Sequence, residues 1–98
     1  MSNFNELINS GKPVLVDFYA DWCGPCKMMQ PVLQELKSSI GDRATIVKIN
    51  VDRNPEAAAA FGIQGVPTLI LFRNGAVQWR QSGVVPARQL KAVIEKYS

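Results

Sequence analysis

Apolar and polar positions change rhythm several times along this chain, and each change marks an element. "VLVDFY" (14–19) is a nearly continuous apolar run rich in β-formers, which reads as a strand buried on both faces. "TIVKINVD" (45–52) and "TLILF" (68–72) read as a second and a third buried strand. Between the first two the spacing turns helical: Met28, Val32, Leu33 and Leu36 share one face, and Gly41 closes the helix. Pro31 lies inside it and predicts a kink. At the start, "SNFNEL" offers Asn3 as N-cap with Glu6 three residues on, so a short helix is expected over about residues 3–9, ended by Gly11 and Pro13. "NPEAAAAFG" predicts another, with Asn54 as N-cap, Pro55 at the first helical position and Gly62 at its end. Asn74-Gly75 is a hairpin signal, and the alternating "AVQWRQS" (76–82) is its second strand. A last helix fills about residues 86–97, with Leu90, Val93, Ile94 and Tyr97 on its apolar face.

The resulting order, αβαβαββα, is that of an α/β fold. The strands at 14–19 and 45–51 are joined by a helix and should be parallel, while the last two form an antiparallel hairpin. Such a mixed sheet needs helices on both faces. With 98 residues, 47% hydrophobic and 19% charged, the chain suits one folded domain with a core of its own. The net charge of +3 comes from scattered Lys and Arg, which argues against nucleic-acid binding. No apolar stretch is long enough to cross a bilayer, and the N-terminus lacks the pattern of a signal peptide. A cytoplasmic location is the expectation. There is no histidine, so acid–base work must fall to Asp, Glu, Lys or Cys.

Both cysteines of the chain stand two residues apart, in Cys23-Gly24-Pro25-Cys26. Three readings compete. A structural disulfide would close a very small loop, with little chain-entropy benefit. A structural zinc site wants four ligands, of which this pair supplies two, and no third cysteine or histidine exists. Dithiol redox chemistry fits the local pattern better. Cys23 falls where a buried strand hands over to a helix, and the N–H groups of a first helical turn favour a thiolate there. Cys26 follows one turn later, within disulfide reach. One sulfur is then expected to be exposed and nucleophilic and the other shielded, so that one thiol attacks and the second resolves the mixed disulfide. Pro25 lacks an N–H, which costs nothing in a first turn. Neither Gly24 nor Pro25 puts a cation beside Cys23, which points to a reductant rather than an oxidant. Met28 and Met29 read as packing and surface residues, not as ligands.

"VDFYADWCGPCK" resembles the active-site segment of the thioredoxins. "KINVDRNPEAAAAFGIQGVPTLILFRNG" resembles their middle and C-terminal region and "SGVVPARQL" their last connection, so the likeness covers nearly the whole chain. W-C-G-P-C together with a preceding strand Asp and a later G-V-P-T is far more specific than a lone C-x-x-C. The resemblance implies the thioredoxin fold. It makes Cys23 the attacking thiolate and Cys26 the resolving thiol, with Asp17 as a buried acid beneath them and Lys48 near that acid. Val66-Pro67 matches the family's cis-proline bond, facing the cysteine pair. Trp22, Gly24, Pro25, Gly65, Val66, Pro67 and Gly83 match the apolar rim where partner proteins dock, and Gly75 matches the hairpin glycine. On the residues alone, Asp17 between Val16 and Phe18 in a doubly covered strand should be buried. Lys48 either pairs with it or snorkels to the surface.

The family commonly carries a strand before its first helix, and this chain starts at or just before that helix. A four-stranded sheet is therefore expected, in the order 45–51, 14–19, 68–72, 76–82, with the apolar strand 45–51 at an edge. A monomer is expected, with that edge as the route to a dimer. The resemblance further implies no bound cofactor: electrons come from NADPH through thioredoxin reductase and go to disulfide-containing client proteins. Two other functions stay open, a thioredoxin-fold disulfide isomerase or oxidase and a non-catalytic binding module docking through the same rim.

Overall fold

Every expected element forms in the computed structural model, which describes residues 2–98. Helix α1 spans Ser2–Ile8, strand β1 Val14–Tyr19, α2 Gly24–Ile40, β2 Thr45–Asn50, α3 Pro55–Ala60, β3 Thr68–Arg73, β4 Ala76–Ser82 and α4 Ala87–Lys96. A single 3-10 turn, Gly41–Arg43, links α2 to β2. Among the described residues the sheet has four strands in the order β2-β1-β3-β4. β1 and β2 are parallel, with Val16 opposite Val47 and Asp17 opposite Lys48. β3 is antiparallel to both β1 and β4. The fold is α/β with a mixed sheet, as the element order predicts.

The continuous apolar runs in β1 and β3 have a simple cause: these are the two central strands, and both of their faces are covered. On one face Leu15, Leu69 and Leu71 pack against Met29, Leu33, Leu36 and Ile40 of α2 and Leu90 and Ile94 of α4. On the other, Val14, Val16, Phe18, Ile70 and Phe72 pack against Ile8 and Ala57, with Phe4 and Phe61 at their border. The Phe61 and Phe72 rings meet edge to face at 5.1 Å. A pair of this kind adds about 0.5–1.5 kcal/mol beyond its area burial. It secures the short α3, which is too short to hold itself.

Four details differ from the sequence reading. β2 ends at Asn50 rather than 52 and is half-buried rather than buried, because it has a strand on one side only among the described residues. Asn50 stops it: its Oδ1 accepts the N–H groups of Asp52 and Arg53, at 2.9 and 3.2 Å, and so turns the chain. Asn54 does not cap α3 with its side chain. Its Nδ2 donates instead to the Asn50 carbonyl at 3.0 Å, leaving Pro55 to open the helix. α1 already includes Asn3, and the expected Asn3 cap lies outside the described side chains. The turn between β3 and β4 matches its signal, with Asn74 at φ 53° and Gly75 at φ 81°, the two left-handed positions of a type I′ hairpin. A Cβ at Gly75 would push the end of the Asn9 side chain aside, and the Gly75 N–H donates to the Ile8 carbonyl at 2.9 Å.

Candidate active site

β1 delivers the chain to the C-terminal end of this central strand, a short turn follows, and α2 begins one residue after Cys23. The Cys23 N–H closes that turn on the Ala20 carbonyl at 3.2 Å. Cys23 is the N-cap, in extended backbone, and its Sγ accepts the Cys26 N–H at 3.1 Å. A cap normally uses an oxygen to satisfy one of the free N–H groups of a first helical turn; here sulfur does so. The same hydrogen bond and the helix dipole stabilise negative charge on Cys23 once the pair is reduced. The two cysteines are joined as a disulfide, with their Cα atoms 5.3 Å apart. Cys23 Sγ also lies 3.6 Å from the Val66 carbonyl oxygen.

In the oxidised pair the two cysteine residues are equally buried, each 4% exposed. In the disulfide each covers the other, and Ala20, Tyr19, Val51 and Val66 pack around them. Their difference is electronic: Cys23 Sγ receives a backbone N–H, at the end of the helix where N–H groups are free.

Asp17 is 0% exposed, on the α2 side of β1, and its two oxygens have no hydrogen-bond partner among the described residues. Burial pushes its pKa up from 3.8 to about 6, opposed by the charge of Lys48. The expected pairing with Lys48 is a charge effect across the β1–β2 register and not an ion pair. Lys48 is exposed, and its Nζ sits 4.8 Å from the centre of the Tyr19 ring. Its stem snorkels, as the alternative reading held.

The residues matched to the docking rim gather around the cysteines in part. Trp22 is 72% exposed, Gly24, Pro25 and Gly65 are exposed, and Val66 and Gly83 are half-exposed. Pro67 is buried, and its bond to Val66 is cis, as the resemblance implies. Its carbonyl accepts the Gly83 N–H at 2.8 Å. Trp22, Val51, Ile63, Gly65 and Val66 line a hollow of about 120 Å³ beside the disulfide. Larger hollows, of about 500 Å³ between α2 and β2 and about 430 Å³ around Lys12, Arg43 and Arg73, lie off the cysteines. Neither is lined by a residue that packs on the disulfide, whereas Val51 and Val66 of the smaller hollow do.

Three contributors escaped the sequence reading. Asp52 Oδ2 accepts the Trp22 indole N–H at 2.8 Å and holds the exposed ring in place. Thr68 donates its hydroxyl to the Gly65 carbonyl at 2.6 Å and meets Ser82 Oγ at 2.9 Å, which ties the Val66-Pro67 loop to the end of β4. The Met29 sulfur accepts the Val85 N–H at 3.4 Å. The first and last of these bonds join residues 30 and 56 apart, a separation no local pattern can reveal.

Comparison with known proteins agrees with this geometry. The thioredoxin family model matches residues 1–96. The thioredoxin of Alicyclobacillus acidocaldarius is 50% identical over 91 residues, covering 93% of this chain and 87% of that protein. The thioredoxin of Staphylococcus saprophyticus is 48% identical over 96 residues, covering 98% of this chain and 91% of that protein. Among solved structures, oxidised mitochondrial thioredoxin 3 of Saccharomyces cerevisiae superposes with a TM-score of 0.87 at 34% identity, over 97% of this chain and 88% of that one. The chain belongs to the thioredoxin family, and its Cys23–Cys26 pair makes it a thiol–disulfide oxidoreductase.

Proposed function

We propose that this chain acts as one cytoplasmic domain that carries electrons from NADPH, by way of a thioredoxin reductase, to disulfides in client proteins. The observation that carries the reading is the hydrogen bond from the Cys26 N–H to Cys23 Sγ at the start of α2, which favours a thiolate on Cys23. That thiolate attacks one sulfur of the client disulfide, forming a mixed disulfide and releasing the client's other sulfur as a thiolate. Cys26 then loses its proton, attacks Cys23 Sγ and expels the second client sulfur. Two electrons have passed to the client, and the Cys23–Cys26 disulfide remains. In a chain without histidine, the buried Asp17 is the base that takes the Cys26 proton, directly or through one water. Its raised pKa of about 6 suits proton transfer near neutrality. Lys48 limits that rise.

Trp22, Gly24, Pro25, Gly65, Val66 and Gly83 form the face on which the client rests, with Pro67 shaping it from below. The exposed indole of Trp22 and the half-exposed Val66 and Gly83 support this role. Two measurements test the proposal. NADPH oxidation should depend on this protein when a thioredoxin reductase and a protein disulfide are both supplied. The Cys26→Ser variant should hold clients as mixed disulfides on Cys23. If the Cys23/Cys26→Ser double variant keeps the cellular function, the chain serves as a docking module instead.

A further inference from the structure

Met29 lies one helical turn after Cys26, on the same buried face of α2, and is 0% exposed. Its sulfur, 3.4 Å from the Val85 nitrogen, accepts that residue's N–H. Val85 is itself 0% exposed, so its N–H has no solvent to turn to. The thioether is a weak acceptor, used here where a stronger one would ordinarily be found. Val85 lies in the segment between β4 and α4 that also holds Gly83 and the exposed Val84. Gly83 is bonded to the Pro67 carbonyl, and Thr68 links Gly65 to Ser82. The start of α2 carries the disulfide, Val66 of the Gly65–Thr68 loop packs on it, and the Ser82–Val85 loop is bonded to that second loop. The two loops are joined to each other by ordinary hydrogen bonds. Among the described residues, the polar link from the Ser82–Val85 loop to the helix that carries the cysteines is the Met29 sulfur.

We infer that Met29 is a positioning residue for client docking, whose sulfur fixes the Ser82–Val85 loop to the cysteine-bearing helix. The inference rests on the docking face proposed above. Any apolar side chain of similar size fills the same space, and volume-conserving exchanges of Leu for Met are usually well tolerated. What only sulfur supplies is the acceptor. Without it the Val85 N–H is stranded, and the loop gains by moving to find water. A protein client that rests on the loop then meets a less ordered surface, whereas a small disulfide touching only Cys23 does not.

The experiment compares the full chain with its Met29→Leu variant. Amide hydrogen exchange by NMR should show Val85 in the parent protected at the level of Leu90, and exchanging about tenfold faster relative to Leu90 in the variant. The KM for a protein disulfide such as oxidised insulin should rise several-fold at little-changed kcat. The rate with a small aromatic disulfide should stay within twofold. Equal protection of Val85 in both proteins, or equal loss on both substrates, overturns the inference. If the variant does not fold, the parent alone decides: a Val85 amide exchanging as fast as that of exposed Val84 overturns it, and protection at the level of Leu90 supports it. Failure of the parent to reduce insulin would instead overturn the proposed function, and the exchange data would still report on the sulfur bond.

Discussion

Replacing Asp17 by Asn tests the buried acid most directly. Asp17 is fully buried without a hydrogen-bond partner among the described residues, and its pKa lies at about 6 instead of 3.8, chiefly through burial. In the unfolded chain the carboxyl ionises near its ordinary value, so between roughly pH 4 and 6 the unfolded state has lost a proton that the folded state still holds. Folding stability therefore falls as pH rises through that window, and the full penalty persists above it. The displacement corresponds to about 3 kcal/mol at pH 8, of which less than about 1 kcal/mol is already present at pH 4. Asn is neutral at every pH, and the cost of burying its unpaired amide is the same throughout. The stability of Asp17→Asn relative to the parent should therefore improve by about 2–3 kcal/mol between pH 4 and pH 8, with the variant the more stable at pH 8. Denaturant unfolding of the oxidised proteins at both pH values measures this, and subtraction removes the carboxylates the two proteins share. The same variant should release mixed disulfides more slowly at neutral pH, because the base for Cys26 is gone, a case of stability exchanged for activity. A relative stability that does not change with pH would refute the argument that burial raises this carboxyl. Unchanged release of mixed disulfides would move the proton of Cys26 to another acceptor.

After reduction, iodoacetamide at neutral pH should alkylate Cys23 before Cys26, with a Cys23 pKa below the free-thiol value of about 8.5, since the helix start and the Cys26 N–H favour its thiolate. Mass spectrometry of partly labelled protein reads this, and faster labelling of Cys26 would reverse the two roles. Gly75→Ala should destabilise by about 2 kcal/mol, combining a left-handed φ of 81° with displacement of the end of the Asn9 side chain. A shift in unfolding free energy below about 0.5 kcal/mol would mean that the hairpin relaxes without loss.

What the sequence determined by itself is mostly local. The uninterrupted apolar character of residues 14–19 and 68–72 announced two doubly covered central strands, because a sheet with helices on both faces leaves no polar side. Asn74-Gly75 announced the hairpin through its two left-handed backbone positions. W-C-G-P-C at a strand-to-helix junction announced the chemistry, since both the N-cap geometry and the reach from Cys23 to Cys26 are set within four residues. Even the burial of Asp17 was legible, from its apolar neighbours. Tertiary structure decided whatever depends on meetings between distant segments. It made β2 a half-buried strand ending at Asn50, turned Asn54 away from its cap, and set Lys48 over Tyr19 rather than against Asp17. It buried Pro67 and buried both cysteine residues equally, since their cover comes from Val51 and Val66 as well as from the motif itself. It also brought Asp52 to Trp22 and Met29 to Val85. Periodicity reports which face of an element is apolar. It carries no information on which atom of another element will stand opposite, because that follows from how the packed layers register against one another.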